Sequence, residues 1–111
     1  MIGLSNRLIG EGNFAKGVAN DVVGTDNAAF GTQNFVEGQT NAVDGNVNDV
    51  IGANNQAQGS FNNIYGLDNR VTGHSNIAQG EVNDVVGVQN GVFGSVNYVN
   101  GDQNRIDGNR N

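Results

Sequence analysis

The stretch Gly38-Gln39-Thr40-Asn41-Ala42-Val43-Asp44-Gly45-Asn46-Val47-Asn48-Asp49-Val50-Ile51-Gly52 decides the fold. It writes one unit twice: glycine, two variable residues, asparagine, a variable residue, a small aliphatic residue, a variable residue. Outward from it, sixteen glycines stand at every seventh position from Gly3 to Gly108, and sixteen asparagines from Asn6 to Asn111. Two places after each asparagine the slot holds Val, Ala, Ile or Leu, from Leu8 to Ile106. Unbroken repetition of this kind specifies a solenoid, in which each unit buries its apolar residue only against the units stacked on it. The repeat fills residues 1–111 and leaves room for one domain.

A period of seven also belongs to coiled coils, but those need two apolar positions per heptad and good helix formers elsewhere. Here one position is dependably apolar and another is always glycine, which costs a helix about 1 kcal/mol each time relative to alanine. Collagen needs glycine at every third residue and fails as well. The strand reading fits. In Asn-x-Val-x the asparagine and the aliphatic residue share one face, and the variable residues point the other way. Gly-x-x is then expected to form the corner, with glycine supplying a positive φ. Seven is odd, so the corner must reset the phase, and two heptads make one coil of 14 residues with two strands back to back. The expected fold is an all-β parallel β-roll of about eight coils, roughly 38 Å long at the usual strand spacing.

Energetics explain the strictness. Ordering a residue costs about 1–2 kcal/mol, while burying one valine returns about 1.5–3, so a single unit cannot fold alone. The inward asparagines are under the same pressure, since an unpaired buried amide costs roughly 2–7 kcal/mol. Stacked along the axis they can donate to and accept from one another, as amide ladders do in stacked sheets. Asn20, Asn34, Asn48, Asn62 and Asn76 are expected to form such a ladder. Replacing Asn48 or Asn62 should therefore cost more than replacing the outward Asp49.

The units Thr40-Asn41-Ala42-Val43-Asp44-Gly45 and Val82-Asn83-Asp84-Val85-Val86-Gly87 follow x-x-Asn-x-Val-x-Gly. That pattern resembles the grass ice-binding (ice-recrystallisation-inhibition) proteins, and the likeness covers the whole chain. It implies a left-handed β-roll. A looser likeness is to the head domains of trimeric autotransporter adhesins, where one heptad of each pair reads Gly-x-Asn-Ser-Val-Ala-Ile, with its asparagine one place earlier than here. These resemblances imply ice or a surface glycan as partner. The outward residues depart from the ice-binding pattern, whose outward file is flat Thr, Ser and Val. One stack here runs Arg7/Ile9, Asp21/Val23, Phe35/Glu37, Asp49/Ile51, Asn63/Tyr65, Ile77/Gln79, Gly91/Phe93, Arg105/Asp107, and threonine appears once in both stacks, at Thr72.

Composition excludes several classes. Five basic against eleven acidic residues give a net charge of −6, which argues against nucleic acid, whose binding needs a basic footprint. Cysteine is absent, so thiolate sites and disulfides are not available. No apolar run reaches the length that spans a bilayer, so membrane insertion is not expected. No secretion signal opens the chain; the compartment is unread, with an extracellular or cell-surface location the better fit. His74 is the only histidine, and it has neither a second ligand for zinc nor a nucleophile to activate. The glycines form no phosphate loop, and the clustered aspartates of calcium-binding rolls are missing. No catalytic, cofactor or metal site is expected, and no enzyme.

What remains is surface. Just before the glycine, the first stack carries Ile9, Val23, Ile51, Tyr65 and Phe93, five apolar or aromatic residues of eight, against two of seven in the other stack. These five are expected to form a lateral contact face. The residues alone rank self-assembly first, end to end or side to side through this face, with ice binding second and a surface-adhesin segment third. The first and last units already fit the repeat, so axial stacking of copies is also expected.

Overall fold

The computed structural model describes residues 1–110. Sixteen strands run in two parallel sheets of eight, and every strand pairs with the one 14 residues on, as Val36 with Val50 and Val50 with Ile64. Sheet I holds Arg7–Glu11, Asp21–Thr25, Phe35–Gln39, Asp49–Ala53, Asn63–Leu67, Ile77–Glu81, Gly91–Ser95 and Arg105–Asp107. Sheet II holds Ile2–Leu4, Phe14–Val18, Ala28–Thr32, Ala42–Asn46, Gln56–Ser60, Arg70–His74, Asp84–Val88 and Tyr98–Asn100. The Cα envelope is 39 × 21 × 12 Å, the long axis being the stack of coils and the short one the thickness of two facing sheets.

The aliphatic slot of every heptad from Ala15 to Val99 is buried, none more than 3 % exposed, in one continuous file. Small and larger residues share a coil: Ala15 with Val22, Ala29 with Val36, Ala57 with Ile64, Val71 with Ala78. Other coils pair two valines, Val43 with Val50 and Val85 with Val92, so the file is uniformly small and aliphatic without being uniform in volume.

The corner differs from the sequence expectation. Glycine does not turn the chain. It is the fourth residue of each five-residue strand, with φ between 108 and 141° along the repeat. The turn falls two residues later, where the residue before each asparagine adopts the left-handed helical region. Fifteen non-glycine residues do so, from Ser5 to Arg110, with φ from 54 to 62°. Among them are Thr40, Val47, Val82 and Val96, β-branched residues for which this region is strained. What holds them is a backbone hydrogen bond to the coil before, such as Val47 N to Thr32 O at 2.9 Å, and the asparagine that follows. Glycine is demanded instead by close approach. A Cβ on Gly52 would fall inside the contact radius of the Gly66 carbonyl oxygen in the next coil, and φ there is +131°.

Candidate binding surfaces

The asparagines build the frame on which every surface sits. Asn48 donates from Nδ2 to Asn34 Oδ1 at 3.1 Å and to Gly59 O at 2.9 Å. Its Oδ1 accepts from Asn62 N at 3.0 Å and Asn62 Nδ2 at 3.2 Å. Both amide hydrogens and both lone pairs are thereby used, the full capacity of the side chain. Asn20, Asn34, Asn48, Asn62 and Asn76 are linked in this way, each within 1 % of full burial. A second ladder climbs from Asn13 to Asn97 on the other side of the roll. The bond to the glycine carbonyl was not legible as a pairing in the sequence, although the fixed distance of eleven residues between the partners was there to be tested.

Because each coil repeats the last in register, outward residues stand in columns along the axis. Ile9, Val23, Ile51, Tyr65 and Phe93 share one column of sheet I. They do not form one stripe. Glu37 separates Val23 from Ile51, Gln79 separates Tyr65 from Phe93, and Asp107 follows Phe93. Only Ile9 counts as exposed, at 48 %, the other four being half-buried. Tyr65 turns its hydroxyl to Asp49 Oδ2 at 3.0 Å, and Arg105 lies over the Phe93 ring at 5.9 Å. The Asp49 bond raises the Tyr65 pKa above its ordinary 10.0, with desolvation and charge repulsion adding to it. Asp49 is therefore not the free surface residue that its outward position suggested, and its Oδ1 is buried without a partner.

The two long edges of the roll differ more than the two faces. On the edge where the chain passes from sheet II to sheet I, each coil presents the last strand residue and the left-handed corner residue. The pairs run Leu4/Ser5, Val18/Ala19, Thr32/Gln33, Asn46/Val47, Ser60/Phe61, His74/Ser75 and Val88/Gln89. No Asp, Glu, Lys or Arg occurs in these seven pairs, and the eighth, Asp102/Gln103, carries the edge's one carboxylate, whose Oδ1 accepts the Val88 N–H at 2.9 Å. The opposite edge runs Glu11/Gly12, Thr25/Asp26, Gln39/Thr40, Ala53/Asn54, Leu67/Asp68, Glu81/Val82 and Ser95/Val96, with four acidic residues.

The uncharged edge exposes Leu4, Val18, Val47, Phe61 and Val88. Its geometry is repetitive, since the corner residues from Ser5 to Gln103 all have φ between 56 and 60°. Asn46 is fixed there by accepting the Thr32 N–H at 3.1 Å, and Phe61 meets His74 edge-on at 5.3 Å. His74 is thus the exposed end of a strand beside an aromatic ring. Among the described residues, no group of three or more His, Cys, Asp or Glu gathers where a metal could be held.

The sequence reading missed this edge because it counted outward residues by strand and set the corner residues aside. Reading every fourteenth residue as one column would have found it. Compared with known proteins, residues 29–111 match the family described as the grass antifreeze beta roll. A search of curated proteins found no match. The family match reverses the order in which the outward residues alone had ranked self-assembly and ice binding.

Proposed function

This chain belongs to the grass antifreeze beta roll family, and from that premise we propose that it is a non-catalytic protein that adsorbs to ice through its uncharged edge. The observation that carries the choice of surface is the absence of charge along the first seven coils of this edge, Asp102 in the eighth being its one charged residue. A charged side chain keeps its own shell of water and resists giving it up, so it interrupts any ordered water shared with a crystal. Neutral side chains at a fixed repeat make no such demand. Each coil contributes one weak contact, and rigid linkage along the ladder sums them, because every coil after the first meets the surface at high effective concentration.

The test is ice-recrystallisation inhibition and thermal hysteresis of Q33K/Q89K, which places two cations on the edge at corner positions. The expected result is a several-fold loss of activity with the far-ultraviolet spectrum unchanged, while V82K on the acidic edge keeps full activity. Equal activity in all three proteins would remove the edge from consideration. Self-association through Ile9, Val23, Ile51, Tyr65 and Phe93 is the lesser reading, since acidic or amide residues cut that column into pieces. I51K/Y65K should lower the mass in light scattering if that column joins copies, and an unchanged mass would discard it.

A further inference from the structure

On the outer face of sheet II a trough of about 310 Å³ crosses the strands from Ala28–Thr32 to Arg70–His74. Its floor is the backbone over the buried Val43, Ala57 and Val71, and small Ala42 leaves one side low. Phe30, 39 % exposed, closes one end, its ring backed by Phe14 at 5.5 Å between centroids. Arg70 stands at the other end, and Asp44, Gln56 and Gln58 line the length between them. None of these four polar side chains makes a hydrogen bond or ion pair to a described residue, although Asp44 and Arg70 carry opposite charge.

A solvated polar surface needs no such arrangement: planar amide, carboxylate and guanidinium groups all facing one trough, with an aromatic ring held ready at its end. We infer that this trough binds a neutral saccharide chain. Planar side chains with two donors or acceptors side by side match the paired neighbouring hydroxyls of a sugar ring, and a bidentate contact fixes orientation as well as energy. The exposed face of Phe30 takes the apolar C–H face of a terminal ring. The one negative and one positive group balance, so neither an anionic nor a cationic polymer is favoured. The trough is open at the surface and its volume is at the lower end of the range of small-ligand sites, which suits a short stretch of a linear chain lying along the axis. The site lies on a sheet face, apart from the uncharged edge, so it stands or falls independently of ice binding.

The test is isothermal titration of the intact protein with cellotetraose and xylotetraose, with nuclear magnetic resonance shifts to locate the contact. The expected result is millimolar binding, with shifts confined to residues around Phe30, Gln56 and Arg70. F30A and Q56A should each weaken it at least several-fold, and F93A on sheet I should leave it unchanged. No heat and no shifts with either sugar would overturn the proposal. So would binding that F30A and Q56A leave intact, or shifts that map to the edge of Val18, Val47 and Val88.

Discussion

Truncating Asn48 to alanine removes one rung from a ladder in the middle of the roll. Three groups lose their partners: the Asn62 backbone N–H, one Asn62 amide hydrogen and the Gly59 carbonyl. Asn34 Oδ1 keeps a partner, because the Asn48 backbone N–H still reaches it at 3.0 Å. The site is sealed, with Asn48 and Asn62 each within 1 % of full burial, so water is not at hand to replace the lost bonds. At about 1–3 kcal/mol for each orphaned buried group, the cost is at least about 3 kcal/mol. For a domain whose whole stability is about 5–15 kcal/mol, that is a large share. The comparison is Gln58→Ala, an exposed residue with no hydrogen bond, which should change stability by less than about 0.5 kcal/mol. Urea midpoints followed by circular dichroism give the answer, and Asn62→Ala should fall beside Asn48→Ala. Coincident midpoints for Asn48→Ala and Gln58→Ala would refute the claim that the ladder is an energetic element of the fold.

Val82 and Val96 hold left-handed corner geometry at φ 55 and 60° while half exposed, so Val82→Asn and Val96→Asn should each stabilise by about 1 kcal/mol, read as a raised melting temperature. Gly52→Ala puts a methyl group against the Gly66 carbonyl and should yield no folded roll, which a lost β spectrum or insoluble expression would register. Tyr65 should lose its phenolic proton above pH 10.0 in the native roll, and Asp49→Asn should bring that titration back down when followed by ultraviolet absorbance. A raised folded-state pKa means the Tyr65–Asp49 bond contributes fully below the unfolded value and is lost as pH rises through the folded one, so the difference in stability between native and Asp49→Asn protein should shrink only in strong alkali.

The fold was legible because its two strictest residues do one job each. Asparagine at every seventh position has to be inward and paired, and Val50 or Ile64 two places on has to share its face. The position of the corner was not legible. A glycine next to two variable residues reads as a turn, yet Val47 and Phe61 take the left-handed conformation and Gly52 lies in a strand. The stacked coil at the glycine carbonyl excludes any side chain, a constraint between residues fourteen apart that the local pattern does not display. Surface function was the least legible part. The column of Ile9, Val23, Ile51, Tyr65 and Phe93 looked continuous as a selection, and pairing restored the Glu37 and Gln79 between its members. The edge that runs from Leu4 to Gln89 was hidden for the opposite reason, because half of it consists of corner residues that carry no strand periodicity.

The two halves of each coil are alike inside. Both carry an asparagine ladder, both bury one aliphatic residue, and both sets of corners share φ from 54 to 62° apart from Gly12 at 67°. A duplication of seven residues would therefore leave every asparagine over another asparagine and every valine in the core. It would also send every later outward residue to the opposite sheet. Charges and aromatics would trade faces from that point on, and Gln33 or Val47 would join the acidic edge. A duplication of fourteen would lengthen the roll by one coil and keep all four surfaces whole, whereas any step that is not a multiple of seven would break both ladders at once. The interior accepts growth in sevens and the surface only in fourteens. A lineage that changes length freely can thus keep its fold while losing its binding edge, and comparing rolls of different length would show which of their surfaces has been under selection.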